Sequence, residues 1–260
     1  MHSRERTLNT LLQDGFILVF NQPKLDIVKT AKSLVEAGIR NMEVTCRIPN
    51  PLDAMRTLRA AMPEFVIGAA SLVDSPGFLD HYALANADDP IPSVAQVVDA
   101  GVDYLVSAGA FRAETYDAFD SDLVFMPGCG TVTEVTTQFA LGANLVKVFP
   151  AKQLGGVGFV KGVDAPLHKF VPLVPTGGTN ADNIPDYIAA GVLVVGGSFS
   201  AVAPDAITQA IDGDFASLTS EFARLKSLVD NHRAATHPTL DFSTATATDI
   251  SAATGRCFNL

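Results

Sequence analysis

The chain has 260 residues, of which 48% are hydrophobic and 18% charged, and this composition fits one large globular domain or two small ones. Its net charge of −10 comes without a cluster of basic residues, which argues against nucleic acid and membrane as partners. The first fifteen residues lack the apolar core of a signal peptide, and no apolar run reaches bilayer-spanning length. Three scattered cysteines do not form the pattern of a disulfide framework or of a metal site. These features predict a cytoplasmic protein.

Strand and helix patterns alternate along almost the whole chain. Apolar runs predict eight strands, at Phe16–Phe20, Arg40–Thr45, Phe65–Ala70, Asp103–Ser107, Asp122–Gly128, Asn144–Lys152, Lys169–Gly178 and Val192–Phe199. Helix-sized segments separate them, which indicates parallel pairing through right-handed crossovers. Because eight parallel strands close a barrel whose interior is just filled by side chains, we predict an α/β fold, the (β/α)8 TIM barrel. A doubly wound open sheet is the alternative.

Two segments interrupt the alternation. Phe78–Ser93 is longer than one helix and turns polar with two prolines, which is typical of an inserted loop. Phe215–His232 has the pattern of an amphipathic helix, and Ala234–Leu260 is rich in Thr, Ala and Ser, which predicts a peripheral wrap or a disordered end. We therefore divide the chain into a barrel over residues 1–212 and a peripheral extension, helical and then irregular, over residues 213–260.

Lys147 is the most unusual residue of the predicted strands. It stands in the apolar run Asn144–Lys152, in a fold whose parallel strands are covered on both faces. Burying an ammonium group is costly unless it is paired or gives up its proton, and a neutral amine in a barrel is a nucleophile. The alternative is a structural lysine at a strand end, either paired or reaching solvent.

Polar side chains collect where the predicted strands end, which is where barrels of this kind carry their functional groups. Glu43, Thr45 and Arg47 alternate along the second strand and so share one face. They could converge at the barrel mouth, or Glu43 and Arg47 could form a structural ion pair. Ser71 follows small residues at the end of the third strand, a weak signal when taken alone.

The last two strands end in similar motifs, Pro175–Thr179 (PTGGT) and Val195–Phe199 (VGGSF). Each motif has two glycines beside a hydroxyl residue. Glycine allows close approach of a ligand to the backbone, and successive N–H groups can form an anion nest. Because phosphate sites in these barrels form after strands seven and eight, the pair predicts phosphate binding, with tight turns as the alternative.

At these residues the chain resembles the 2-keto-3-deoxy-6-phosphogluconate (KDPG) and 4-hydroxy-2-oxoglutarate (KHG) aldolase family. The resemblance runs from about Phe16 to Phe199. The matching motifs are EVTCR (Glu43–Arg47), GAASLV (Gly68–Val73), VSAG (Val106–Gly109), MPGCGTVTE (Met126–Glu134), KVFPA (Lys147–Ala151), PTGGT and GGSF. The resemblance implies a class I aldolase, a homotrimeric barrel that uses no metal or other cofactor and holds its intermediate as an imine on the lysine.

The reaction implied by the resemblance is cleavage of a phosphorylated 2-keto-3-deoxy acid to pyruvate and glyceraldehyde 3-phosphate, in Entner–Doudoroff carbohydrate metabolism. Cleavage of 4-hydroxy-2-oxoglutarate to pyruvate and glyoxylate is a further candidate. Lys147 then matches the Schiff-base lysine, Glu43 the acid/base and Arg47 the residue that holds the pyruvate carboxylate. The other matched substrate-binding positions are Ser71, Phe149, Thr176, Gly177, Gly178, Gly197 and Ser198.

The chain departs from the family pattern at three positions. Ser71 replaces a threonine, Ala70 a glycine, and Ala108 the proline of an S-P-G motif at the mouth. Two other functions use the same residues. A phosphosugar isomerase or epimerase would use Glu43 as its base, with Lys147 only electrostatic, and a catalytically inactive barrel would bind phosphate alone.

Overall fold

A computed structural model of the protein describes residues 2–119 and 122–260, in which strands and helices follow one another closely. The strands are β1 (Phe16–Phe20), β2 (Asn41–Thr45), β3 (Val66–Leu72), β4 (Tyr104–Ser107), β5 (Val124–Met126), β6 (Gly128–Cys129), β7 (Val146–Val148), β8 (Leu173–Pro175) and β9 (Val195–Ser198). The helices are α1 (Arg4–Asp14), α2 (Ile27–Glu36), α3 (Pro51–Ala61), α4 (Pro76–Ala85), α5 (Val94–Asp99), α6 (Ala113–Phe119), α7 (Val132–Ala140), α8 (Gly156–Asp164), α9 (Ile184–Ala189), α10 (Pro204–Ile211), α11 (Ala216–Thr236) and α12 (Ala247–Thr254).

The described strands pair in parallel and form two sheets. Six strands form a curled sheet in the order β5-β4-β3-β2-β1-β9, and three form the sheet β6-β7-β8. Pro127, which has no N–H to donate, separates β5 from β6. The prediction of an α/β fold on parallel strands is confirmed. The strands are hydrogen-bonded within two separate sheets, one of six strands and one of three.

Both faces of the curled sheet are buried, which explains why its strands are apolar almost throughout. On the convex face, residues such as Phe16, Leu18 and Met42 pack with the helices in one large hydrophobic cluster. On the concave face, residues such as Ile17 and Val66 belong to a second cluster. Side chains alternate along β2. Met42 and Val44 point to the convex face, and the polar side chains point to the concave face: Asn41, Glu43 and Thr45. Polar groups are therefore held inside the curl of the sheet.

Three helices were not expected from the sequence pattern. Helix α12 lies within Ala234–Leu260, which was predicted as a peripheral wrap or a disordered end, and it begins with a capping box of Thr246 and Asp249. Helix α1 precedes the first strand, begins after the N-cap Ser3 and ends at Gly15, which has the left-handed φ of 66°. The loop predicted over Phe78–Ser93 is wrong for its first half, because α4 begins at Pro76 and continues to Ala85 without burying a residue. Stacking of Phe78 on Tyr82, one helical turn apart, supports this exposed helix.

None of the described helices is both long and apolar enough to cross a membrane.

The segment after β9 packs against the rest of the fold at several points. Helix α11 contacts α2, α9 and α10, and α12 contacts α1. Phe242, Ile250 and Phe258 join Leu8 and Leu12 of α1 in the second hydrophobic cluster. The division of the chain after residue 212 stays a prediction.

Two buried arginines fasten this C-terminal segment. Arg233 donates to the carbonyls of Leu12 and Gln13 at the end of α1, and its guanidinium lies 3.6 Å from the ring centroid of Phe242. Burial lowers the pKa of Arg233 to about 10, so it stays charged at neutral pH. Arg256 forms a bidentate ion pair with Asp164 and also donates to the carbonyls of Val171 and Gly191.

The substitution Arg256→Met should lower the free energy of unfolding by about 3–5 kcal/mol, because it leaves the buried Asp164 carboxylate without its partner. Urea unfolding monitored by circular dichroism measures the change. The matched control is Arg224→Met, which removes a half-exposed pair with Glu221 and should cost at most about 1 kcal/mol. Equal losses in the two variants would contradict a fastening role for Arg256.

Candidate active site

A cavity of about 410 Å³ opens at the carboxyl ends of the strands. Nine of the ten side chains or glycines predicted for the site line it: Glu43, Arg47, Ser71, Lys147, Phe149, Thr176, Gly177, Gly178 and Ser198. Gly197 is the exception, because a Cβ there would lie 2.9 Å from the ring of Phe16 on the convex face. Close packing against Phe16 therefore explains why this position has a glycine.

Lys147 and Glu43 form a buried ion pair inside the cavity. Lys147 Nζ lies 3.3 Å from Glu43 Oε1, and the two residues are 5% and 1% exposed. Lys147 Nζ also lies 5.3 Å from the ring centroid of Phe149, which forms the wall beside it. The alternative pair of Glu43 with Arg47 is therefore not the one that forms. The pair places an amine and a carboxylate close enough to exchange a proton.

Arg47 is held by hydroxyl groups. Its Nε donates to Thr45 Oγ1 at 3.1 Å and to Ser71 Oγ at 3.0 Å, and Thr45 donates to Ser71 at 2.9 Å. Ser71 sits at an irregularity of β3 with a φ of 61°, a left-handed conformation that few serines adopt. This backbone directs its hydroxyl to Thr45 and Arg47. The terminal guanidinium nitrogens of Arg47 carry the positive charge that a carboxylate of a ligand would require.

The opposite side of the cavity is built from backbone. Gly177 and Gly178 follow β8 with φ of 91° and 82°, values that strongly favour glycine. Among the described residues, no backbone carbonyl accepts from the N–H groups of these two glycines. A Cβ at Gly177 would lie 3.2 Å from the ring of Phe149, and one at Gly178 would lie 2.5 Å from Lys152. Both N–H groups are therefore free to donate to an anion, as the anion nest predicted from the PTGGT motif would require.

Hydroxyl groups stand beside this nest. Thr176 is buried and bridges to Gly196 of β9, where any Cβ would collide with the threonine side chain. Ser198, at the end of β9, lies with its Oγ 2.9 Å from Ser200 Oγ and accepts from the Ser200 N–H. The glycines of the VGGSF motif thus serve packing, and its serine is the part that reaches the cavity.

Tyr104 lies beneath the ion pair on the concave face. The register pairs Glu43 with Gly68 and Gly68 with Tyr104, and the tyrosine ring covers Gly68 so closely that no side chain fits there. Its hydroxyl lies 3.5 Å from Asn41 Oδ1. Burial, and then the nearby Glu43 carboxylate, raise the pKa of Tyr104 well above its usual value. Tyr104 therefore keeps its proton at neutral pH and adds no charge next to the ion pair.

The loop after β4 forms one edge of the mouth. Ser107 donates to the carbonyl of Leu72 at 2.8 Å and accepts from the N–H of Gly109 at 3.0 Å. Ala108, which departs from the proline of the family pattern, packs directly on Gly128, where no Cβ would fit. Ala108 also lines the cavity.

Several lining residues carried no motif signal. Asn21, Asp74 and Ser75 line the cavity from loops after β1 and β3. Asp74 accepts from the Arg112 N–H and the Thr115 hydroxyl, each at 2.7 Å, so it is a structural tie to α6. Asn21 had one available signal, since it is the first polar residue after the strand β1.

Thiol and metal chemistry receive no support from the side chains present. Burial raises the pKa of Cys46 to about 12, and burial and Glu134 raise that of Cys129 to about 12. Both thiols therefore stay protonated at neutral pH and are poor nucleophiles. Within residues 2–119 and 122–260, no three His, Cys, Asp or Glu side chains are grouped so that they could hold a metal ion.

Comparison with known proteins agrees with this geometry. The family profile described as "Aldolase: KDPG and KHG aldolase" matches residues 16–217. The KHG/KDPG aldolase of Escherichia coli K12 is 31% identical over 173 residues, 66% of this chain and 73% of the relative. The 2-dehydro-3-deoxy-phosphogluconate aldolase of Pseudomonas aeruginosa is 28% identical over 205 residues, 76% and 86% of the two chains.

A solved structure shares the fold. It is the KDPG aldolase of Legionella pneumophila, described as holding pyruvate as a covalent carbinolamine intermediate. Its TM-score is 0.62 at 25% identity, with 85% of this chain and 96% of that chain covered. The profile match alone spans well over half of the chain. This chain belongs to the KDPG and KHG aldolase family.

Proposed function

We propose that this protein is a Schiff-base aldolase that cleaves a phosphorylated 2-keto-3-deoxy acid of the KDPG type to pyruvate and glyceraldehyde 3-phosphate, a carbon–carbon lyase. The observation that carries the proposal is the buried pair of Lys147 and Glu43, which opens onto a cavity with an anion nest on its far side. A structural ion pair would have no need of such a cavity. An amine beside a carboxylate is what imine formation requires.

The first half of the reaction forms the imine. Glu43 takes a proton from the Lys147 ammonium 3.3 Å away and so frees the amine. The amine attacks the C2 ketone to give a carbinolamine, and Glu43 returns the proton to the departing hydroxyl as water leaves. Arg47, held by Thr45 and Ser71, binds the carboxylate next to C2 and fixes the orientation of the ketone.

The second half breaks the carbon–carbon bond. Glu43 accepts the proton of the C4 hydroxyl, and the electrons of the C3–C4 bond move into the iminium to give an enamine and a free aldehyde. Glu43 then donates that proton to C3 of the enamine, and hydrolysis of the imine releases pyruvate. Tyr104, beside Glu43 in the sheet, keeps its proton because burial and the Glu43 carboxylate raise its pKa, so it adds no charge next to the reacting pair.

The far side of the cavity, where the phosphate would bind, holds the substrate in place. The free N–H groups of Gly177 and Gly178, with the hydroxyl of Ser198, suit a phosphate group at the far side of the cavity. Thr176 supports this arrangement from below by its bridge to Gly196. Binding energy from the phosphate then positions the C3–C4 bond over Lys147. 4-Hydroxy-2-oxoglutarate remains a second candidate substrate.

The same proposal covers the architecture around the site. The bridge of Thr176 to Gly196 joins the edges of the two sheets, and only Pro127 separates β5 from β6, which supports a closed (β/α)8 barrel. We place this barrel over residues 1–212, with the extension 213–260 at its periphery. Assembly as a homotrimer, a cytoplasmic location and independence from metals belong to the proposal through the family.

Borohydride reduction in the presence of pyruvate should leave a stable pyruvyl adduct on Lys147, because the imine on this amine is reduced to a secondary amine. Peptide mass spectrometry locates the adduct. Lys147→Met should abolish both the adduct and turnover, whereas Lys161→Met, an exposed lysine outside the cavity, should retain them. An adduct elsewhere, or turnover retained in Lys147→Met, would overturn the mechanism.

The substitution Glu43→Gln should lower kcat by about 10²–10⁴-fold while the enzyme still binds pyruvate, because the amide keeps the size of the side chain but cannot carry the proton. Steady-state cleavage rates and equilibrium binding of pyruvate separate the two effects. Glu36→Gln, on the exposed surface of α2, is the control. Near-normal turnover in Glu43→Gln would remove Glu43 from its role.

Iodoacetamide at pH 8 should label Cys46 and Cys129 in urea but hardly in the folded enzyme, since at a pKa of about 12 roughly one thiol in ten thousand is ionised. Burial raises the pKa of both thiols above the ordinary value of 9.0, so the folded state binds the protons more tightly. Their contribution to stability therefore falls as pH rises from about 9 to about 12. Inactivation in proportion to native labelling of Cys46 would contradict a passive role.

A further inference from the structure

Asn21 occupies a position between the two ends of the cavity. It follows β1 directly, and in this strand Val19 pairs with Glu43 on one side and with Ser198 on the other. Strand alternation places Asn21 on the same face as Val19, one step nearer the mouth, and both residues line the cavity. Asn21 therefore stands between the carboxylate proposed for proton transfer and the serine proposed for phosphate binding.

The side chain of Asn21 lacks a partner in the folded chain. Its Oδ1 atom is buried and, within the described parts of the chain, has no hydrogen-bond partner. Leaving such an oxygen unpaired is costly, and nearly all buried polar groups in native proteins are paired. Because Asn21 lines the cavity, a ligand bound there is a candidate donor for this oxygen.

An amide oxygen needs a hydrogen-bond donor, and this requirement restricts the choice. In a phosphorylated six-carbon 2-keto-3-deoxy acid, the carboxylate, the ketone and the ionised phosphate oxygens only accept. The donors are the hydroxyl groups on C4 and C5. The C4 hydroxyl gives its proton to Glu43 in the proposed mechanism, which leaves the C5 hydroxyl, between the breaking bond and the phosphate.

We propose that Asn21 Oδ1 accepts a hydrogen bond from the C5 hydroxyl of the substrate, which is the C2 hydroxyl of glyceraldehyde 3-phosphate in the reverse reaction. The inference rests on the proposed aldolase function and deepens it. 4-Hydroxy-2-oxoglutarate has a carboxylate at C5 and offers no donor there. Asn21 therefore selects the hydroxylated six-carbon phosphate over the five-carbon diacid.

Aldol addition of pyruvate to two aldehydes tests the contact. Glyceraldehyde 3-phosphate carries the hydroxyl, and 3-oxopropyl phosphate is the same chain with hydrogen in its place. Asn21→Leu keeps a side chain of similar size without an acceptor. It should lower kcat/KM for glyceraldehyde 3-phosphate about 10- to 100-fold and change kcat/KM for 3-oxopropyl phosphate less than about threefold.

Three controls make the result decisive. Asn21→Ala should show the same loss of preference between the two aldehydes, and Gln22→Leu, the next residue and outside the cavity lining, should keep it. Borohydride trapping with pyruvate should proceed at the wild-type rate in both Asn21 variants, which shows that they are folded and that Lys147 reacts.

Equal losses on the two aldehydes, or an unchanged preference in Asn21→Leu, would overturn this inference while the aldolase function stands. A wild-type protein that forms no imine with pyruvate would overturn the proposed function and this inference with it. Trapping and aldehyde preference are separate measurements, so the two failures are distinguishable.

Discussion

The buried ion pair of Lys147 and Glu43 is the interaction on which the site depends. Removing two charges from water costs several kcal/mol for each ion, and the pair recovers that cost only where geometry is good and partners are close. The fold meets this condition by bringing together β2 of the curled sheet and β7 of the three-stranded sheet, although Glu43 and Lys147 are 104 positions apart in the chain. Both members keep one side toward the cavity, so the pair is buried without being sealed.

The surroundings of the pair divide the recognition of anions between two kinds of group. Arg47 offers a charge whose direction is fixed by Thr45 and Ser71, which suits a planar carboxylate. Gly177 and Gly178 offer backbone N–H groups without charge, which suit a phosphate that must bind and leave. Under the proposed function, these local groups bind a substrate that carries a carboxylate and a phosphate, although the net charge of the protein, −10, opposes its approach.

Much of the fold and most of the site could be predicted from the sequence, for a clear physical reason. Parallel strands buried on both faces leave long apolar runs, and against such runs a single Lys147 or Glu43 is conspicuous. The partner of each charge was not predictable, because it depends on which strands face each other across the curl. The packing of Gly197 and Gly196 was not predictable for a related reason, since a motif does not show that one glycine packs on Phe16 and its neighbour on Thr176. The one signal of Asn21, its place as the first polar residue after a strand, was too weak to use because such a residue is ordinary until its burial is known.

The closure of the concave face has a consequence for how the chain folds. Residues of α1 and of the segment with Phe242, Ile250 and Phe258 share one hydrophobic cluster, and Arg233 holds the end of α1. These partners lie more than 200 positions apart, and the second group follows every strand in the chain. During synthesis from the N-terminus, the apolar residues inside the curl of the sheet therefore stay open to water until α11 and α12 have emerged. Contacts of such long range are slow to form, so this end of the sheet is the part of the nascent protein most exposed to aggregation.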